Sequence, residues 1–327
     1  MKHIAAILFI CFVSALSFGQ TPELQGLKEF AILHKNDTVR FYISNYKPDS
    51  VNKKIFLYIQ GSGTYPMVNS TDKEECCFNN YPKKLMKQFP KDYAFVYINK
   101  SGLPYYANID HFQPDEIFNK NNNVLDRAEI ADEVLNYLLQ NVYPDVKVVA
   151  VLGHSEGSDV AAKLASVNNK VTHLCFASGN GPPQIFNDIL LIRRKMNRNE
   201  ISAEEAQKEI DKLYTGIDSV YNDANSTDKY FNGDTYKWNY TINQPAIDNL
   251  LKINIPVFLT IGSNDDKVPV EGSDYIKAEF IRNRKTNLTY KVYLNCNHNY
   301  VEKLNNGETK DRWFELFNDF ITFIEKN

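Results

Sequence analysis

The 327-residue sequence has no excess of positive charge: 37 Lys and Arg stand against 40 Asp and Glu, a formal net charge of −3. That balance draws neither phosphate backbones nor anionic lipid, so nucleic acid is not expected as a partner. Long hydrophobic runs are scarce too. Ile4 to Leu16 is almost wholly apolar, but it falls short of the roughly 20 residues of a spanning helix, and no later segment reaches that length, so stable membrane insertion is not expected. Cysteines are few, and no Cys and His spacing resembles a zinc site, because Cys296 and His298 alone offer too few ligands. Internal repeats and low-complexity tracts are missing as well. What remains is a globular chain long enough to bury one large core or two smaller ones.

The single apolar run has a reading of its own. A basic start, the run itself, and small residues at Ser17 and Gly19 form the pattern of a secretory signal peptide over 1–19, cleaved after Gly19. A secreted or periplasmic location follows; a buried N-terminal helix is the other reading. Cleavage removes Cys11 and leaves Cys76, Cys77, Cys175 and Cys296 in a compartment that permits disulfides. Four cysteines allow three full pairings, and the sequence does not choose among them. A bond between the adjacent Cys76 and Cys77 would be strained, since consecutive Cα atoms are only about 3.8 Å apart. Free thiols fit equally well.

Further along, short apolar runs alternate with helical patterns, the signature of an α/β domain with a mostly parallel sheet and helices on both faces. Strands are predicted over 54–60, 93–98, 146–152, 171–177, 255–261 and 288–294. An antiparallel edge hairpin is predicted from EFAILH and TVRFYIS, around a turn at Lys35 to Asp37. Helices are predicted over 81–89, 125–141, 156–167, 271–283 and 311–326. The rhythm stops between 182 and 250, where charged helical sequence (ISAEEAQKEIDKLY) leads to YKWNYTI without a strand pattern. We read 182–250 as a helical cap inserted between two parts of one core, 20–181 and 251–327, and shaping a substrate pocket. An ordinary surface hairpin is the alternative.

One junction carries chemistry. In Gly153-His154-Ser155-Glu156-Gly157 the preceding strand is expected to end at Leu152 and the helix to start at Glu156, which puts Ser155 on a tight turn. Glycines two before and two after it remove side chains that would collide where strand and helix nearly touch. The serine Oγ is left exposed above the strand end. Strand before, helix after, and Ala161 and Ala162 for close packing are the conditions of a nucleophile elbow.

A serine hydroxyl needs a base, and the base needs an orienting acid. After IPVFLTI the loop Gly262-Ser263-Asn264-Asp265-Asp266 supplies carboxylates, and after LTYKVYL the loop Asn295-Cys296-Asn297-His298 supplies an imidazole. Both loops lie at the sheet end that binds ligands in open α/β folds. His111, in the aromatic loop from Tyr105 to Phe118, is a rival base. Stabilising a developing oxyanion takes fixed N–H donors. One is expected at Glu156, directly after the serine, and the other in Gln60-Gly61-Ser62-Gly63, through Ser62. The Glu156 side chain is read as a helix first-turn acid favoured by the macrodipole.

These features resemble α/β-hydrolases, most closely bacterial serine esterases whose elbow reads Gly-His-Ser-Glu-Gly. The family's acid lies in a Gly-x-x-Asp-x-x-Val-Pro loop, matched by Gly262, Asp265, Val268 and Pro269, and that alignment selects Asp265 over Asp266. Its histidine often follows Asn, as His298 follows Asn297, and its Lys-x-Gly turn is similar to Lys100-Ser101-Gly102. The chain departs from the pattern at Ser101, where relatives often carry Arg, and at Ser158, in place of a second glycine after the elbow Glu. The resemblance covers 54–181 and 251–326. It implies a Ser155, Asp265, His298 triad and, with the leader, a secreted or periplasmic serine hydrolase of small carboxylic esters, with no metal or cofactor. A peptidase or amidase, or a non-catalytic binding protein on the same fold, are the alternatives.

Overall fold

Alternating side chains of the run KIFLYI feed two separate cores, one on each face of a single sheet. The computed structural model describes residues 27–44, 46, 54–73, 77–78 and 89–327. The leader expected at 1–19, Cys76, the Cys77 side chain and nearly all of the helix expected over 81–89 lie outside them.

In chain order the strands are β1 (Leu27–His34), β2 (Asp37–Ser44), β3 (Lys54–Ile59), β4 (Val68–Ser70), β5 (Cys77–Phe78), β6 (Tyr93–Ile98), β7 (Tyr106–Asn108), β8 (Val149–His154), β9 (His173–Ala177), β10 (Tyr230–Phe231), β11 (Asp234–Thr235), β12 (Val257–Gly262), β13 (Leu288–Tyr293), β14 (Val301–Lys303) and β15 (Thr309–Asp311). The described helices are α1 (Glu116–Asn121), α2 (Val124–Asn141), α3 (Glu156–Val167), α4 (Gln184–Asn197), α5 (Ala203–Asn222), α6 (Tyr236–Ile242), α7 (Ala246–Leu250), α8 (Val270–Arg282) and α9 (Trp313–Lys326).

Eight strands form the main sheet in the order β1-β2-β6-β3-β8-β9-β12-β13. Strand β2 runs against both its neighbours, and every other new pairing is parallel. The edge hairpin turns on Lys35 and Asn36, at φ 49° and 80°, the left-handed pair that a two-residue turn of matching twist requires; Asp37 already belongs to β2. On one face Ile55, Leu57 and Ile59 pack with Val134 and Leu138 of α2 and Val160 and Leu164 of α3. On the other, Phe56 stacks on Phe317 of α9 at 5.5 Å between ring centroids.

Most predicted boundaries shift by one or two residues. The larger change is at β8, which starts at Val149 and stays extended through His154, because Gly153 still pairs with β3 and His154 with β9. The segment 182–250 is mainly helical but not strandless: β10 and β11 form a small hairpin around Asn232 and Gly233, at φ 52° and 91°. Asn-Gly is the strongest short hairpin signal, and the polar sequence around it conceals it. Cys175 and Cys296 are free and buried. No described helix is long and apolar enough to cross a membrane.

Candidate active site

Because β8, β12 and β13 run parallel within one sheet, the loops leaving their C-terminal ends emerge on the same side. Those loops carry Ser155, Asp265 and His298.

Ser155 sits between β8 and α3 at φ 56°, ψ −130°, a conformation that L-residues adopt only under strain of about 1–3 kcal/mol. The glycines around it are there for space. A Cβ on Gly153 would fall 2.0 Å from the Gly157 carbonyl oxygen, and one on Gly157 would fall 2.2 Å from that of Ile59. The Ser155 N–H donates to Ala177 O at 2.9 Å, which locks the turn onto the end of β9.

Asp265 is buried, and its Oδ1 accepts the backbone N–H groups of Lys267 at 2.9 Å and Val268 at 2.8 Å. His298 Nδ1 lies 3.0 Å from Oδ1 and 2.8 Å from Oδ2. A carboxylate only accepts, so Nδ1 carries the proton and Nε2 is left with a lone pair. Asp266 faces solvent beside Lys267; Asp265, not its neighbour, meets the histidine. His111 is bonded to Asp72 at 2.9 Å with its side chain 69% exposed, away from this constellation. Among the described residues, no direct hydrogen bond joins the Ser155 hydroxyl to the His298 ring, a contact that often tightens only when substrate is bound.

His154 links the two loops. Its Nε2 donates to the backbone carbonyl of His298 at 3.0 Å, and Ser178 Oγ donates to the same carbonyl at 3.3 Å. Trp313 packs edge-on against the His154 ring at 4.9 Å. Burial, reinforced by the neighbouring His298, pushes the His154 pKa down to about 3, so the ring stays neutral and its Nε2–H stays available to donate.

The two backbone segments expected to bind an oxyanion also meet here. Glu156 opens α3, so its N–H has no acceptor within the helix. A Cβ on Gly61 would lie 3.0 Å from Ser155 Cβ and 3.6 Å from Ser155 Oγ, which places the Gln60–Gly63 turn directly against Ser155; Ser62, next in line, is exposed. Arg127 of α2 ties both segments together. It donates to Glu156 Oε1 at 2.7 Å and, through its other nitrogen, to the Gln60 carbonyl. Tyr97 OH donates to the Gln60 side chain, and Lys100 Nζ donates to Gly63 O at 2.8 Å. Burial would raise the Glu156 carboxyl, but Arg127 and Lys100 hold it below its ordinary value. Burial, with Arg127 adding repulsion, pushes the Lys100 ammonium down to about 7. The Glu156 side chain is therefore fixed by a buried ion pair and not by the helix macrodipole alone.

Arg127 escaped the sequence reading, yet a signal was there. Val124, Arg127, Ala128, Ala131, Leu135 and Leu138 follow the i, i+3, i+4 spacing of a buried stripe, and an arginine inside such a stripe calls for a buried acid. The 182–250 segment also reaches the site: Arg194 of α4 donates to Asp265 O at 3.2 Å, and Asn187 Nδ2 to Lys267 O at 3.2 Å.

No model of a known protein family matches the sequence, and no curated protein matches it. Solved structures do. The chain superposes on Est1E from Butyrivibrio proteoclasticus with a TM-score of 0.53 at 13% identity, covering 91% of this chain and 99% of that one. It superposes on an esterase of Pyrococcus furiosus with a TM-score of 0.52 at 16% identity, covering 92% and 90%. A Pyrococcus horikoshii acylaminoacyl peptidase matches with a TM-score of 0.53 at 10% identity, over 83% of this chain but only 37% of the peptidase. With the sheet order above, these likenesses give the chain the α/β-hydrolase fold.

Proposed function

We propose that the chain is a serine hydrolase that cleaves carboxylic esters through an acyl-enzyme on Ser155. The observation that carries this reading is the Asp265–His298 pair, at 2.8 Å, standing at the same sheet end as a strained serine. His298 Nε2 takes the Ser155 proton as Oγ attacks the substrate carbonyl. The N–H groups of Glu156 and Ser62 receive the oxyanion, and His298 returns the proton to the leaving alcohol. Water, deprotonated by the same nitrogen, then releases the acid. Asp265 keeps the proton on Nδ1 and balances the imidazolium formed in each half-reaction.

Ester cleavage is preferred because the two esterase-like matches span nearly their own full length, whereas the chain matches only part of the peptidase. The α4 contacts with the Asp265 loop support reading 182–250 as a cap. The leader pattern supports export; N-terminal sequencing of the mature protein, expected to begin at Gln20, checks it.

The test is fluorophosphonate labelling of the wild type beside Ser155→Ala, with p-nitrophenyl esters of increasing acyl length and a matched amide. Labelling confined to the wild type, with ester turnover well above amide turnover, is expected. Labelling with amide turnover equal to or above ester turnover would replace the esterase by an amidase, and no labelling at all would end the hydrolase reading.

A further inference from the structure

One residue past the Gly61–Gly63 turn, Thr64 forms part of the wall of a cavity of about 310 Å³. The rest of the wall includes Phe118 and Asn122 at the end of α1, and Tyr230, Asp234 and Trp238 from the 182–250 segment. Thr64 is the cavity's link to the candidate active site, since the Gln60–Gly63 turn just before it lies against Ser155. Trp238, which lines the cavity, has its indole Nε1 buried without a hydrogen-bond partner, and so does Oε2 of Glu156, the residue directly after Ser155. Asp234 is the one lining residue that carries a charge.

Its carboxylate lacks the cation that two nearby acids have. Glu156 has Arg127, and Asp126 has Lys35 and Lys237. The Asp234 carboxylate makes no ion pair and accepts no hydrogen bond among the described residues, while its backbone oxygen accepts from Asn239 Nδ2 at 3.1 Å. The nearby cation is Lys100, but its ammonium is spent on the Gly63 carbonyl, sits over the Phe118 ring at 5.9 Å from the centroid, and does not line the cavity. Asn122 adds a second unmet acceptor, since its Oδ1 is buried without a donor. Burial first, and then the charge of Glu156, raise the Asp234 pKa to about 6; a cation placed beside it would relieve both. A carboxylate without a cation and an amide oxygen without a donor, beside aromatic rings, favour a cationic group, because ring faces attract cations as well as apolar surface.

We propose that this cavity receives a cationic, ammonium-type group of the substrate, with Asp234 as its counter-charge and Phe118, Tyr230 and Trp238 around it. The assignment of that group to a substrate rests on the hydrolase reading above; the cation site itself does not.

Two butyrate esters of the same shape test it: the 3-(trimethylammonio)propyl ester and its uncharged counterpart, the 4,4-dimethylpentyl ester. The wild type is expected to prefer the cationic ester by about tenfold or more in kcat/KM, equivalent to about 1.4 kcal/mol, and Asp234→Asn to bring the ratio near one. A wild-type ratio near one, a preference that survives Asp234→Asn, or a glyceryl ester that outruns both would overturn the proposal, the last by pointing to a neutral polyol. Calorimetry on Ser155→Ala measures binding of the same two compounds without turnover. Cation-selective binding there, with no hydrolysis by the wild type, would sustain the site while sinking the hydrolase reading; equal binding of the two compounds would sink the site alone.

Discussion

The ring of His154 and the backbone carbonyl of His298, 144 positions apart in the sequence, are joined by a hydrogen bond of 3.0 Å. The elbow and the loop of the proposed base are thus held in register by a neutral imidazole. In the folded chain that imidazole takes up a proton only near pH 3, whereas its ordinary value is 6.5. Between those limits the unfolded state binds the extra proton, so stability falls as pH drops from about 6.5 toward 3 and is insensitive to this group above. Thermal melts of the wild type and His154→Asn across pH 7 to 3 check this. The variant is expected to melt lower at pH 7 and to lose less on acidification, and parallel curves would contradict it.

Asp265 and Asp266 are neighbours with different surroundings. Asp265→Asn is expected to lower kcat on p-nitrophenyl esters by on the order of 10³ to 10⁴, because the amide no longer holds the Nδ1 proton or balances the imidazolium. Asp266→Asn, whose side chain faces solvent, is expected to stay within about twofold, since exposed changes seldom reach a kilocalorie. Similar losses in both would remove Asp265 from its proposed role.

Arg127 and Glu156 have side chains 8% and 3% exposed. Arg127→Met strands a buried carboxylate and is expected to cost about 3–5 kcal/mol in denaturant unfolding. Adding Glu156→Gln removes the stranded charge and is expected to restore part of that stability. Turnover should stay depressed in the double variant, since the Gln60 carbonyl has still lost its donor. A double variant as unstable as Arg127→Met alone would show that the pair is not coupled.

Two glycines separate close approach from backbone conformation. Gly157→Ala pushes a methyl to 2.2 Å from the Ile59 carbonyl, and a loss above about 3 kcal/mol is expected, at the upper end for overpacking. Gly233→Ala meets nothing within 4 Å but keeps a φ of 91°, so only the left-handed backbone penalty of about 1–2 kcal/mol applies. Equal unfolding midpoints for the two variants would contradict this ordering.

The inner strands of the main sheet are readable because they are short apolar runs buried on both faces, as Val149–Leu152 shows. The elbow was readable because its glycines answer a local clash that five residues define. The choice of Asp265 needed the family pattern, since the sequence puts two carboxylates side by side and only the folded loop turns one toward His298. Arg127 and the Gln60 clamp were not readable in that way. Their partners lie 29 and 67 positions away, and distance in sequence hides a contact unless an odd residue in a buried stripe betrays it. The Asp234 cavity was less accessible still, being assembled from a turn after β3, the end of α1 and a hairpin inside the 182–250 segment.

Ser155 leaves β8 near the middle of the chain, while His298 leaves β13 and α9 closes the second core by setting Phe317 on Phe56. During synthesis the serine therefore emerges from the ribosome long before its partners have been polymerised, at a pace of roughly 5–20 residues per second. In the interval the nascent chain carries an unarmed hydroxyl. On the proposed triad, Ser155 stays inert at that stage, and it is armed only once Asp265 and His298 have been made and folded against it.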